Sequence, residues 1–188
     1  MARARARWDN LAKPVGSLGE LESYLVRVAG LLGTEYVAFG KRAVLVFCAD
    51  NGVTKSGVAA TPASITATMA GIIAEGRSAV GLMAKRAGAD VFAFDMGMFT
   101  RVEKPNLADC RIAAGTRDMT CGPAMTRGEV QRAIETGMEL VRGKKAEGYG
   151  LLATGEMGIG NTTSAAAAAA ALLKLPASET TGRGAGLI

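Results

Sequence analysis

The chain contains no histidine among its 188 residues, and this absence narrows the chemistry available to it. Ser-His-Asp and Cys-His catalysis both need an imidazole, which is also the commonest transition-metal ligand in proteins. Cysteine is scarce as well. The chain has Cys48, Cys110 and Cys121, which are an odd number and lack CxxC spacing. We therefore expect neither a disulfide framework nor a metal site, and we expect a reducing, cytoplasmic environment. Acid-base work is left to Glu, Asp, Lys, Tyr or Cys.

Aromatic residues and long apolar runs are also rare. Aromatics make up only 5% of the chain, and the 22 basic residues are neither clustered in a stripe nor interleaved with aromatic residues. We therefore expect no nucleic-acid partner. The net charge of +5 fits a pocket for an anionic small molecule equally well. No segment reaches the roughly 18 consecutive apolar residues of a membrane helix, so no membrane partner is expected. The length and the 49% hydrophobic content indicate one globular domain.

Three short apolar runs predict buried strands. They are RAVLVFCAD at 42–50, ADVFAFDMG at 89–97 and YGLLAT at 149–154. Helical patterns separate them, and the first two runs reach Asp50 and Asp95 near their ends. This alternation predicts an α/β fold with a mostly parallel sheet and flanking helices. The carboxyl edge of such a sheet is where ligands bind.

Capping signals and apolar spacing predict the helices. Ser17 and Glu20 form a capping-box pattern that predicts a helix at about 18–32, and Thr126 with Glu129 predicts another that runs to about 148. A third pattern covers 65–88 with an interruption near Gly76. The alanine-rich segment predicts a helix at about 162–173. Residues 100–125 are expected to be irregular.

The segment GEMGIGNTTS at 155–164 is the strongest candidate for a ligand site. A buried strand passes through three glycines into a helix, where free N–H groups and the helix dipole favour a phosphate. An ordinary strand-to-helix turn would also explain the glycines. Glu156 is unexpected because phosphate repels a carboxylate, so we expect it to contact another part of the ligand. Its alternative interpretation is an exposed loop acid.

Three further segments are ambiguous when taken alone. GRGAG at 182–186 offers an arginine between small residues, either for an anion or as a flexible turn. Asp50 and Asp95, each close to a glycine, could orient a ribose or cap a neighbouring loop. SGVAATPASIT at 56–66 suits a flat apolar ligand but is also typical of a strand-to-helix connection.

Six motifs in order give the chain a family resemblance. LAKPVGSLGELE, FCADNGVTKSGVAATPASIT, FDMGM, GTRDMTCGPAMT, GEMGIGNTTSAAA and GRGAGL are together similar to the nicotinate-nucleotide:dimethylbenzimidazole phosphoribosyltransferase family. The resemblance implies a Rossmann-like three-layer fold and a homodimer. It also implies phosphoribosyl transfer from nicotinate mononucleotide to 5,6-dimethylbenzimidazole in cobalamin lower-ligand assembly, with no cofactor.

The resemblance also implies roles for individual residues. Glu156 is expected to act as an auxiliary catalytic acid that orients the base or stabilises a cation-like ribose. The base pocket is expected to draw on residues 57–69. The substrate-binding residues it implies are Gly155, Met157, Gly158, Gly160, Asn161, Thr162, Gly182, Arg183, Gly184, Asp50, Thr61 and Thr68.

The chain departs from the family pattern in two places. The family usually has Asp-His-Gly after its first strand, whereas this chain has Asp50, Asn51 and Gly52. The family pattern also continues beyond GRGAGL and carries its presumed general base, a glutamate, in that portion. We therefore expect poor turnover by this chain alone. From the resemblance we also expect one α/β domain over 1–188, with 1–35 contributing to a smaller helical subdomain.

Other functions stay open at this point. A non-catalytic nucleotide-binding subunit fits the same motifs. A transferase that uses phosphoribosyl pyrophosphate fits less well, because no adjacent acid pair precedes a Thr-Gly-rich loop. A dehydrogenase is disfavoured because the glycine spacing is G-x-x-G-x-G rather than that of a dinucleotide site.

Overall fold

The computed structural model describes residues 1–184, which form two compact units, Met1–Gly40 and the chain from Lys41 onward. The first unit contains helices α1 (Ala2–Asp9) and α2 (Glu20–Leu32). Ala4 of α1 packs against Val26 and Ala29 of α2 in a small buried cluster. None of the described helices is both long and apolar enough to cross a bilayer.

The capping box predicted at Ser17 is wrong. The helix begins only at Glu20, after Gly19 with φ 57°, because Ser17 lies in a turn in which its N–H bonds to Pro14 O at 3.1 Å. Glu22 takes over part of the capping function: its Oε1 accepts a hydrogen bond from Leu18 N at 3.1 Å.

The second unit alternates strands and helices. Its elements are β1 (Lys41–Ala49), a 3-10 turn (Gly52–Ser56), α3 (Ile65–Ala74), α4 (Ala79–Ala87), β2 (Asp90–Gly97), β3 (Leu107–Asp109), α5 (Arg127–Ala146), β4 (Tyr149–Met157), α6 (Asn161–Leu173) and α7 (Ala177–Thr180).

The four strands form one parallel sheet in the order β3-β2-β1-β4. The chain therefore proceeds outward from β1 through β2 to β3 and then crosses to the opposite side of β1 to form β4. In the register, Phe47 of β1 lies between Phe94 of β2 and Glu156 of β4. The α/β fold with a parallel sheet is confirmed.

Helices cover both faces of the sheet. On one face, Val46 and Cys48 of β1 pack against Ala67, Ala70 and Ile73 of α3. On the other face, Ala43 and Leu45 of β1 and Phe94 of β2 pack together with Leu140 of α5. Alternate residues of β1 thus serve opposite cores, which explains why its sequence is apolar throughout. The result is a three-layer arrangement.

Most of the predicted element boundaries hold. The helical pattern at 65–88 is interrupted where expected, since α3 ends at Ala74 and Gly76 has φ 70°. The capping box at α5 is confirmed, because Thr126 Oγ1 accepts from Glu129 N at 3.2 Å and Glu129 Oε2 accepts from Thr126 N at 2.6 Å.

The structure corrects the sequence prediction at three elements. β4 continues beyond Thr154 through Gly155, Glu156 and Met157, because these residues pair with Val46–Cys48 of β1. The stretch predicted to be irregular contains β3, and α7 was not predicted.

Candidate active site

The candidate site lies at the carboxyl edge of the sheet, between β1 and β4. The chain reverses its direction of strand addition between these two strands, and open parallel sheets bind ligands at such a switch point. The segments that leave the two strands meet here, since Asn51 Nδ2 donates to Ile159 O at 3.2 Å.

A groove of about 690 Å³ opens at this edge. Its wall combines the segment after β1, the glycine segment after β4, the first turns of α6 and the segment after α7. Val58, Ala59 and Ala166 make part of the wall apolar. Among the described lining residues, Arg183 has the one charged side chain. Its chemistry therefore suits a ligand with an anionic end and a flat apolar part.

Two glycines are required by the geometry of the loop. A Cβ on Gly158 would collide with the carbonyl oxygen of Ala49 and lie 2.9 Å from Asn51 Nδ2. Gly160 has φ 82°, in the left-handed region, where it forms the N-cap of α6. The glycines thus allow the loop to pass close to the end of β1 and turn directly into the helix.

The first turn of α6 offers backbone donors to the groove. The first four N–H groups of a helix have no partner within it. Asn161 N donates to Gly158 O at 3.1 Å and Ser164 N to Gly160 O at 3.3 Å. Thr162 and Thr163, between them, line the groove. Together with the helix dipole, this turn favours an anion such as phosphate.

Glu156 lies beside the groove rather than in its wall. It is an exposed residue near the end of β4, and its Oε1 accepts a hydrogen bond from Asn161 Nδ2. Since Asn161 lines the groove, the carboxylate contacts the site through this amide.

Asp50 and Asp95 hold the loop that follows β2. Asp50 Oδ2 accepts from Phe99 N at 2.6 Å, and Asp95 Oδ1 accepts from Gly97 N and Met98 N, both at 2.8 Å. Arg111 lies 3.6 Å from Asp95 Oδ2. The loop-capping alternative is thus what the contacts show, and the described residues contain no cluster of acids and thiols that could hold a metal.

Cys48 lies in the core of the sheet. It is fully buried, and burial, assisted by the charges of Asp95 and Glu156, raises the pKa of its thiol to about 12. It is therefore unsuited to act as a nucleophile.

The structure brings together most of the residues singled out in the sequence. The groove is lined by nine of them: Thr61, Met157, Gly158, Gly160, Asn161, Thr162, Gly182, Arg183 and Gly184. Four do not line it. Gly155 and Glu156 lie in β4, Asp50 is buried beneath the loop after β2, and Thr68 is exposed on α3, where its hydroxyl donates to Ser64 O at 3.5 Å. Residues 185 and 186 of the GRGAG segment lie outside the described residues.

Sequence reasoning missed several residues that contribute to the site. Thr66 Oγ1 accepts from Ile159 N at 3.1 Å, and Ser164 Oγ donates to Asn51 Oδ1 at 2.8 Å. Thr180 and Thr181 line the groove from the far side. The position of Thr66 in the small-residue segment after β1 was the one available signal.

Comparison with known proteins identifies the family of the chain. A family model described as Phosphoribosyltransferase matches residues 1–188. The nicotinate-nucleotide:dimethylbenzimidazole phosphoribosyltransferases of Geobacter metallireducens and Chloroflexus aggregans are each 43% identical to this chain, over 188 and 185 residues. The alignments cover 100% and 98% of this chain but 53% and 52% of those proteins.

A solved structure gives the same result. CobT from Thermus thermophilus superimposes with a TM-score of 0.93 and 42% identity over 100% of this chain and 56% of that one. The chain thus spans about half the length of the curated relatives it matches. With the match over all its residues, the chain belongs to the nicotinate-nucleotide:dimethylbenzimidazole phosphoribosyltransferase family.

Proposed function

We propose that this chain forms part of an enzyme that transfers the phosphoribosyl group of nicotinate mononucleotide to 5,6-dimethylbenzimidazole. The products are α-ribazole 5'-phosphate and nicotinate, and the reaction belongs to assembly of the lower ligand of cobalamin. The observation that carries the proposal is the groove in which the two glycine segments, 157–160 and 182–184, lie together. The names of the relatives supply the reaction.

The phosphate of the nucleotide is assigned to the first turn of α6. The N–H groups of this turn carry partial positive charge, and Arg183 supplies a full charge in the same groove. Gly158 and Gly160 let the backbone approach the anion closely because no side chain intervenes.

The base is assigned to the apolar part of the wall. Val58, Ala59 and Ala166 offer a small, uncharged surface to a flat aromatic ring, and Thr61 adds one hydroxyl. Such a wall holds a ring by shape and apolar contact, with few polar groups to select among related bases.

The reaction needs little from the protein beyond positioning and one proton transfer. The bond between C1' of the ribose and the nicotinate nitrogen breaks, and its electron pair neutralises the pyridinium ring. A benzimidazole nitrogen forms the new bond to C1', and its second nitrogen releases a proton. Holding the two rings in line supplies much of the rate enhancement. Glu156 is assigned an auxiliary role, orienting the base or stabilising positive charge on the ribose.

A second candidate function is nucleotide binding without turnover. The observation that favours it is the absence of any acidic side chain among the described residues that line the groove. General-base assistance typically contributes about 10²- to 10⁴-fold. Because no carboxylate lines the described groove to take up the proton, we expect these residues to bind nicotinate mononucleotide and to turn it over poorly.

One assay tests both candidates. The chain is incubated with nicotinate mononucleotide and 5,6-dimethylbenzimidazole, the products are separated by chromatography, and nucleotide binding is measured in parallel by calorimetry. Formation of α-ribazole phosphate above background supports the enzyme and makes Glu156 the leading acid-base candidate. Saturable binding without product supports the binding subunit. Absence of both would contradict the proposal.

The organisation of the protein completes the proposal. We assign residues 1–188 to one α/β domain with 1–35 contributing to a smaller helical subdomain, and we assign the protein to the cytoplasm as a homodimer. Exposed apolar side chains on α5, namely Ile134, Met138 and Val141, support association with a second surface. Free cysteines support a reducing compartment.

A further inference from the structure

We infer that Asn51 and Thr66 are positioning residues that hold the glycine loop 158–160 in its ligand-binding shape. The inference rests on the proposed function, because it assigns the loop to the phosphate of the nucleotide. Both residues act on Ile159, the one residue of the loop that carries a side chain. We call these contacts the Ile159 clamp.

Thr66 holds one side of Ile159. Its hydroxyl oxygen accepts a hydrogen bond from Ile159 N at 3.1 Å, and the residue is 0% exposed in the core-facing part of α3. A hydrogen bond in the protein interior is stronger than one in water, so this bond favours a single direction of the Ile159 N–H.

Asn51 holds the other side. Its Nδ2 donates to Ile159 O at 3.2 Å, while its Oδ1 accepts from Ser164 Oγ at 2.8 Å. One carboxamide thus joins the end of β1, the loop and the first turn of α6. A carboxamide offers a donor and an acceptor together and does not titrate, so neither contact depends on the protonation of the Asn51 side chain.

The clamp matters because the two glycines of the loop have no side chains to hold them in place. Gly158 and Gly160 on either side of Ile159 have no side chains to pack, and glycine loses more conformational freedom on folding than any other residue. If the loop already has its bound conformation, it loses less conformational entropy when the ligand binds, and the affinity is higher.

The geometry also separates the clamp from the ligand contacts. Neither Asn51 nor Thr66 is among the residues lining the groove. Their effect on a bound phosphate is therefore indirect, through the positions of Ile159 and the first turn of α6.

The test compares substitutions in the clamp with a matched control. Thr66→Val removes the acceptor at nearly constant shape, and Thr66→Ser restores it. Ser78→Ala serves as the control, because Ser78 is a buried residue whose Oγ accepts from Gly81 N at 3.2 Å at the start of α4, without lining the groove. Affinity for nicotinate mononucleotide and for inorganic phosphate is measured by calorimetry, stability by urea unfolding, and exchange of the Ile159 amide by NMR.

The clamp predicts a specific pattern. Thr66→Val should weaken nucleotide affinity by about fivefold to tenfold, the effect of one lost hydrogen bond, and accelerate Ile159 amide exchange by a similar factor. Thr66→Ser should recover both quantities. Ser78→Ala should lower stability but leave affinity and Ile159 exchange unchanged. Asn51→Ala and Ser164→Ala should each weaken affinity. Their effects should not be additive in the double variant, because both remove the hydrogen bond between Ser164 Oγ and Asn51 Oδ1.

If the wild-type chain binds nucleotide or phosphate, either of two results would overturn the clamp. The first is a Thr66→Val variant that loses stability as the control does but keeps full affinity and slow Ile159 exchange. The second is equal loss of affinity in Thr66→Val and Ser78→Ala. If the wild-type chain binds neither nucleotide nor phosphate, the proposed function is wrong, and Ile159 exchange alone then decides the clamp: faster exchange confined to the clamp variants supports it, and unchanged exchange overturns it.

Discussion

Asn161 Nδ2 donates a hydrogen bond to Glu156 Oε1, and this bond joins the end of β4 to the first residue of α6 across the glycine loop. An acid within a glycine-rich anion site is unexpected on electrostatic grounds. The bond accounts for its position, because the carboxylate contacts a groove-lining amide and remains beside the groove rather than in its wall.

Replacing Glu156 by Gln should reduce turnover more than binding. The amide keeps an oxygen that can accept from Asn161, so the loop should keep its shape, but the negative charge is lost. We expect turnover, where it is detectable, to fall about 10²-fold, the low end of what acid-base assistance contributes. Affinity for nicotinate mononucleotide should change little. Glu139→Gln on α5 is the charge-matched control, and unchanged turnover in Glu156→Gln would remove this acid from the mechanism.

Replacing Arg183 by Ala should weaken binding of the phosphate. Arg183 supplies the one charged side chain among the described groove residues, and hydrogen bonds to charged groups are worth about 1.5–3 kcal/mol. Affinity for nicotinate mononucleotide should therefore fall at least about tenfold, with a weaker dependence on salt. Arg142→Ala makes the same change in net charge at an exposed residue of α5 that does not line the groove, and it should have no effect in the same calorimetric titration.

Adding a methyl group at Gly158 should destabilise the protein. The new Cβ would meet the Ala49 carbonyl and the Asn51 amide, and forced overpacking typically lowers stability by about 1–3 kcal/mol. Gly143→Ala is the matched control, since no atom lies within 4 Å of a Cβ built there and the residue lies within α5. It should stabilise the chain by about 0.5–1 kcal/mol. Urea unfolding of both variants would reveal opposite signs, and a neutral Gly158→Ala would contradict the close approach.

Because of the capping box of α5, the free energy of unfolding should decrease as the pH becomes acidic. Hydrogen bonds from the Thr126 backbone, then from Arg117 and the Thr126 hydroxyl, lower the pKa of Glu129 from 4.5 to about 2. Because the folded form binds this proton more weakly than the unfolded chain, the contribution is present above about pH 4.5 and is lost as the pH falls toward 2. Urea midpoints for wild type and Glu129→Gln should differ near neutral pH and converge in acid. A constant difference at every pH would contradict this assignment.

Thiol reactivity should follow burial in the folded protein. Cys121 is exposed, whereas Cys48 is fully buried with a pKa of about 12. A thiol-specific chromogenic reagent should modify Cys121 rapidly and reach Cys48 only when the chain unfolds. Cys121→Ser should abolish the rapid phase, and rapid labelling of Cys48 in folded protein would contradict the core position.

The sheet was predictable because its signals are local. β1 is apolar at consecutive positions, and burial on both faces follows directly from that pattern. Helix starts were less certain. The same motif correctly predicted the cap at Thr126 but failed at Ser17, because the turn before Gly19 moves the start of α2 away from it. The last residues of β4 were missed because their strand structure depends on pairing with β1, which is remote in sequence.

In the candidate site too, local features could be predicted and contacts between residues remote in sequence could not. The glycine loop and its position between β4 and α6 could be predicted, since glycines, helix start and alanine-rich helix follow one another in the chain. The contacts of Thr66 and Ser164 could not. Thr66 contacts a residue 93 positions away and Ser164 one 113 positions away, and no local pattern distinguishes either from an ordinary helical hydroxyl.

The position of β4 at the edge of the described sheet has an electrostatic consequence for Glu156. Its carboxylate is exposed, so its field reaches a bound ligand largely through water. A charge acts about fourfold more weakly in bulk water than at the effective dielectric of about 20 typical near a protein surface. Any polypeptide that excluded water from this edge would strengthen the electrostatic interaction between this carboxylate and a bound ligand, with the carboxylate in the same position. In the proposed reaction, the effect of Glu156 on the ligand is therefore expected to depend as much on what excludes water from β4 as on the residue itself.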